Sequence, residues 1–129
     1  MTYGTSITLG TPFAETVARV RQELKTEGFG VLTEIDLTGA LREKIGETIE
    51  DYVILGACNP PLAHQALTAD RSIGLLLPCN VVVRATEHGS VVEALDPQVM
   101  VRLSDAPELK AVADDATARL QRVLARLAG

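Results

Sequence analysis

Two short phrases in the chain combine a soft, nucleophilic side chain with residues that interrupt regular structure: Cys58-Asn59-Pro60 and Pro78-Cys79-Asn80. A cysteine at a strand-to-helix junction sits in the field of the helix dipole, near backbone N–H groups that favour the thiolate. Cys58 has that placement, which makes it the leading candidate for a reactive thiol. The same phrase weakens the case. Pro60 and Pro61 each lack a backbone N–H, so the first helical turn offers an anion fewer donors than an ordinary helix start. No Lys or Arg is close in sequence, and the nearest histidine, His64, lies further along the same helix.

Cys79 opens the second phrase on the next long strand. If the strands carrying Cys58 and Cys79 are neighbours, the pair can be redox-active, bind a soft metal or line a ligand pocket. The competing reading is structural, because cysteine is among the most buried residue types and both thiols have apolar sequence neighbours. Pro78 cannot donate to a sheet ladder and marks a bulge, an edge or a break that redirects Cys79 and Asn80. Asn80 stands inside Leu-Leu-Leu-Pro-Cys-Asn-Val-Val-Val. A buried amide there needs partners, from the backbone, ordered water or a ligand. Cys58, Asn59, Cys79, Asn80 and His64 are therefore the candidate ligand-binding residues.

Other chemistries lack a pattern. His64 and His88 stand at no zinc-motif spacing with the cysteines, so no metal site is assigned. His64 alone is near enough to the cysteines to serve as a base or haem ligand, although a partly exposed helix residue is the commoner role. Glu34 and Asp36 are paired carboxylates near a strand end, read as an exposed side chain and a helix start. No phosphate loop, dinucleotide fingerprint or nucleophile elbow is present. The sequence names no catalytic set and no cofactor.

Composition narrows the partners. The 129 residues are 47% hydrophobic and 22% charged, proportions of one folded domain spanning residues 1–129. A net charge of -5, with Phe13, Phe29, Tyr3 and Tyr52 as the aromatic residues, offers no basic stripe and few stacking platforms, which argues against nucleic acid. The start Met1-Thr2-Tyr3-Gly4 has no secretory pattern, and the apolar run Leu75 to Val83 is too short for a bilayer. A cytoplasmic protein with free thiols and no membrane partner is expected.

Periodicity places these residues. Tyr3, Thr5, Ile7 and Leu9 alternate as a first strand within residues 2–9. Thr11-Pro12 begins a helix over residues 12–27, with Phe13, Val17, Val20 and Leu24 on its apolar face and Gly28 as its stop. Phe29, Val31, Thr33 and Ile35 alternate as a strand, and Leu37, Leu41 and Ile45 share a helix face that ends at Gly46. Asp51 to Ala57 reads as a central strand buried on both faces, followed by a helix from Pro60 to about Ala69. A strand over 73–86, a turn at Glu87-His88-Gly89 and a strand over 90–95 form a hairpin. After a helical turn at Asp96-Pro97, a long helix runs from Pro107 to Leu127. The order β-α-β-α-β-α-β-β-α predicts an α+β fold, with helices on a mixed sheet, ending in the hairpin and the C-terminal helix.

The segments from Glu27 to Asp36, Ile54 to Pro60 and Gly74 to Val83, together with Leu95-Asp96-Pro97, resemble domain-of-unknown-function family 302 in order and spacing. That resemblance covers nearly the whole chain and implies a compact α+β fold that commonly forms homodimers. It supplies no reaction. Members are similar in carrying the two Cys-Asn phrases. The expectation is a homodimeric, non-catalytic module that binds a small ligand or cofactor through the Cys58/Cys79 region. The alternatives are a thiol-dependent redox enzyme or sensor, and a structural dimer with core cysteines.

Overall fold

The computed structural model describes residues 1–129. Its elements are β1 (Gly4–Leu9), α1 (Phe13–Thr26), β2 (Gly30–Asp36), α2 (Leu37–Ile45), β3 (Tyr52–Cys58), α3 (Pro60–Ala69), a 3-10 helix (Arg71–Leu76), β4 (Cys79–Thr86), β5 (Gly89–Leu95), α4 (Gln98–Leu103) and α5 (Leu109–Ala128). The α+β class, the closing hairpin and the long C-terminal helix are as the sequence predicts. Gly28 and Gly46 stop their helices with φ of 84° and 69°, backbone that an L side chain adopts only with strain. Asp36 caps α2 by accepting from the Gly39 N–H at 3.0 Å.

The sheet has the order β1-β5-β4-β3-β2, and all four pairings are antiparallel, which corrects the expected mixed sheet. β1 and β2 do run in the same direction, but they occupy opposite edges with three strands between them, so they never pair. The helical excursions from β2 to β3 and from β3 to β4 return the chain antiparallel to the strand it left.

One face of the sheet is covered. Val53, Leu55 and Ala57 on β3 are buried, as are Val81 and Val83 on β4 and Val92 and Ala94 on β5, packed against Val20 and Leu24 of α1 and Leu120, Val123, Leu124 and Leu127 of α5. Cutting Leu24 or Leu120 to Ala would cost about 2–5 kcal/mol. The opposite face stays open, which leaves Tyr52, Ile54 and Val82 only half-buried. β3 is thus interior but not buried on both faces, and β4 is the central strand.

Local chemistry overrides apolar patterning at three places. The expected strand over 73–86 begins only at Cys79, because Asp70 accepts from the Ser72 N–H at 3.1 Å and starts a 3-10 helix, while Pro78 has no N–H for the ladder. In β2 the register jumps between Val31 and Thr33, leaving Leu32 as the extra residue. Val31 lies opposite Ala57 and Ile35 opposite Ile54, so the four residues predicted to share a face are divided between the two. Thr11 does not cap α1. Its hydroxyl meets Thr16 Oγ1 at 2.5 Å, and Thr16 in turn meets Ser90 Oγ at 2.6 Å, so a buried hydroxyl chain ties α1 to β5.

Gly56 fits the sheet only as glycine, since a Cβ there would run into Thr33 Oγ1 and lie 2.9 Å from Pro78 Cγ. Gly56→Ala should lower stability by about 1–3 kcal/mol in urea unfolding. An unchanged midpoint would show that the Pro78 packing tolerates a methyl group.

Candidate functional site

The ladder between β3 and β4 joins the two Cys-Asn phrases. Cys79, the first residue of β4, lies opposite Ala57, and Cys58 is the next and last residue of β3. Cys58, Asn59 and Cys79 line one cavity of about 280 Å³. Its other walls are Phe29 just before β2, Leu32 on β2, Leu62, Ala63, Ala66 and Leu67 on α3, Leu77 and Pro78 before β4, Met100 on α4, and Val112 and Ala116 on α5. Side-chain size explains the space. Ala57, Ala63, Ala66 and Ala116 fall where the strand ends and helices converge, and their short side chains leave a gap that larger ones would fill. Leu32, the bulged residue, is 67% exposed and stands where the cavity meets the surface.

Burial governs the thiols. Cys79 is 8% exposed, and desolvation, followed by the nearby Cys58 charge, pushes its pKa up to about 11. Cys58 is less buried, and desolvation raises its pKa too. Both are unbonded in the structure and carry their protons at neutral pH. They therefore present polarisable, nearly apolar surface rather than nucleophilic charge.

The start of α3 holds no free donor for an anion. Pro60 and Pro61 have no N–H, the Leu62 N–H donates to Asn59 Oδ1 at 3.3 Å, and the Ala63 N–H donates to the Asn59 carbonyl at 2.9 Å. Asn59 is thus the helix cap. Its Nδ2 donates to the Glu27 carbonyl at 3.4 Å, which binds the start of α3 to the end of α1.

The candidate residues do not all converge. Asn80 follows Cys79 on the strand, so the alternation of β4 sends it to the open face, where it is exposed among Tyr3, Tyr52 and Val82. The expected buried amide is therefore a surface amide free to bond water. His64 is exposed on α3 and borders a separate depression with Gln65, Thr68 and Glu108. His88 is exposed in the hairpin turn, and Glu34, at the sheet edge, pairs with Arg21 at 2.8 Å.

One cluster escaped the sequence reading. Glu27 is buried, and its Oε1 accepts from Arg122 Nε at 3.1 Å and Nη2 at 2.9 Å. Its Oε2 lies 2.9 Å from Arg126 Nη1, and its carbonyl accepts from Arg119 Nη1 at 3.0 Å. Arg126 also pairs with Glu23. Repetition of arginine along α5 at positions 119, 122 and 126, at helical spacing, was the available signal.

The Arg122 hydrogen bond, with support from Arg126, holds the Glu27 carboxyl below its ordinary value of 4.5. A lowered native pKa means that the pair stabilises the fold above that ordinary value and that the contribution disappears as pH falls through the lowered one. Because both arginines are partly exposed, Glu27→Gln should cost about 1–2 kcal/mol at pH 7 and flatten the acid limb of the stability profile. A parallel profile in the variant would remove Glu27 as its source. Asn59→Ala should cost about 1 kcal/mol through loss of the cap, read from urea midpoints. Iodoacetamide should modify native Cys79 at pH 7.5 far more slowly than a free thiol, with the rate climbing toward pH 11. Rapid labelling at neutral pH would contradict the neutral-thiol description.

Comparison with known proteins follows the same outline. The chain is similar to the crystal structure of an uncharacterized conserved protein DUF302 from Bacillus stearothermophilus, with a TM-score of 0.90 and 32% sequence identity over 98% of this chain and 99% of that one. No curated protein matches it. The model of the domain of unknown function DUF302 matches residues 5–127, and the chain belongs to that family.

Proposed function

We propose that the protein is a non-catalytic binding module that takes a small molecule into the cavity at Cys58 and Cys79 and works as a homodimer. The observation that carries this reading is the cavity itself, a preformed apolar hollow at the meeting of three helices with the sheet end, of the kind that ligand sites favour. No His, Asp, Glu, Lys or Arg lines it, which leaves the two protonated thiols as the titratable groups that a bound molecule would meet. A thiol-dependent redox enzyme or sensor using Cys58 and Cys79 is the second reading, supported by the two thiols lining one cavity, close enough for the charge of one to act on the other. It ranks lower because thiolates are the reactive form and burial disfavours them here. The same reading keeps residues 1–129 as one domain and places it in the cytoplasm, where cysteines stay reduced. No helix is long and apolar enough to cross a membrane.

The dimer is assigned to the open face of the sheet. Ile35, Tyr52, Ile54 and Val82 form a partly exposed apolar row there, beside the Arg84–Glu93 pair at 3.3 Å. A second copy covering this face would bury it isologously.

Two measurements test the proposal. In a thermal-shift screen of small apolar molecules, ligands should raise the melting temperature of the native protein, and Ala63→Phe, which takes up part of the cavity, should diminish the response, most for the largest ligands. A screen without a single hit counts against binding. In sedimentation, the native chain should run as a dimer and Val82→Glu as a monomer. A monomeric native chain would overturn the dimer alone.

A further inference from the structure

We infer that the cavity at Cys58 and Cys79 selects an uncharged, predominantly apolar molecule of about ten to twelve non-hydrogen atoms, held by shape and desolvation rather than by ionic contacts, a size scaled from the cavity volume. This inference rests on the binding reading above and specifies the chemical class that the same site takes.

Three independent observations point to that class. The first is the lining. Of fifteen residues, thirteen are hydrophobic, none is charged, and the one amide side chain belongs to Asn59. Asn59 already spends Oδ1 on the Leu62 N–H and Nδ2 on the Glu27 carbonyl, so a ligand that strips water from a polar group finds little in exchange. The second is the end of α3 nearest the strands. A helix N-terminus would normally offer a carboxylate or phosphate several N–H groups, but here two are missing at Pro60 and Pro61 and the next two are bonded within the cap. The arginines of α5 that could supply charge do not line the cavity, and Arg119, Arg122 and Arg126 are engaged with Glu27, Asp115 and Glu23. The third is the state of the sulfurs. Two protonated thiols and the Met100 thioether add soft, weakly polar surface suited to alkyl or aromatic carbon.

Volume sets the upper size. A dry apolar cavity of about 150 Å³ accommodates benzene, with its six carbons. By that ratio the 280 Å³ here corresponds to about eleven non-hydrogen atoms, with some overhang where Leu32 borders the surface. A tetrapyrrole is several times too large, and His64 does not line the cavity to ligate its iron.

The test uses the full chain and a series of straight-chain alcohols from 1-hexanol to 1-dodecanol, with decanoate as the charged counterpart of 1-decanol, in calorimetric titration at pH 7.5. Affinity should rise roughly fourfold per methylene and level off near 1-decanol, once the cavity is full. Decanoate should bind at least about a hundredfold more weakly than 1-decanol, since its carboxylate would be desolvated without a partner. Ala63→Phe and, from the opposite wall, Val112→Phe should each shorten the length at which affinity levels off. Circular dichroism of the unliganded variants identifies which of the two is folded and supplies the comparison. Equal binding of decanoate and 1-decanol, with both weakened by the filling variants, would overturn the neutral class and leave the binding site intact. Affinity still climbing at 1-dodecanol would overturn the size limit. Absence of binding by every probe, or binding untouched in a folded filling variant, would overturn the site itself.

Discussion

Glu27 is the point at which the walls of the cavity are joined. Its carboxylate holds two arginines of α5, and its carbonyl receives both the Asn59 amide that caps α3 and a third arginine of α5. Two helices, α3 and α5, are thereby fixed to one residue at the end of a third, α1. Gly28 turns the chain directly after it with positive φ, and a Cβ at that position would lie 3.0 Å from Asn59 Nδ2. The knot therefore depends on a glycine as much as on charge. Because Glu27 is buried while its arginines are partly exposed, its stabilising effect lies between those of a surface pair and a fully buried one.

A cavity bounded by rigid supports does not collapse when its lining is small. Ala57 is held by the β3–β4 ladder, Ala66 by a helix whose start the Asn59 cap fixes, and Ala116 by a helix packed along the sheet, so the gap between them is a property of the architecture rather than a packing fault. The double proline after Asn59 contributes in the same direction. It starts α3 with little need for outside hydrogen-bond partners and so permits an apolar lining beside a helix end, where exposed N–H groups would otherwise demand water or an anion.

Much of this was legible in the residues. Helix stops at Gly28 and Gly46, the Asp36 and Asn59 caps and the hairpin turn before Gly89 all follow from local grammar, whereas the placing of Cys58 beside Cys79 depended on a strand pairing that the residues left open. What was not legible has identifiable causes. Asn80 looked buried because its neighbours are apolar, yet a strand covered on one side sends alternate residues to water whatever their sequence context. Ile73 to Leu76 looked like strand because hydrophobicity does not distinguish a strand from a short helical turn governed by Asp70. The bulge at Leu32 left no mark in a run that alternates well on either register. The cavity was hidden most deeply, since absence of volume arises from residues far apart in sequence, and each alanine alone reads as ordinary packing.

That bulge bears on how fast the cavity can exchange its contents. Leu32 has no partner in the β2–β3 register, and its side chain is largely exposed at the rim. Swinging it aside needs only a rotation about its side-chain bonds, with no backbone hydrogen bond broken, and exposed rotamers interconvert in picoseconds to nanoseconds. For the occupant proposed above, entry and exit would then be decoupled from unfolding, and its residence time would be set by the apolar contacts it gives up on leaving.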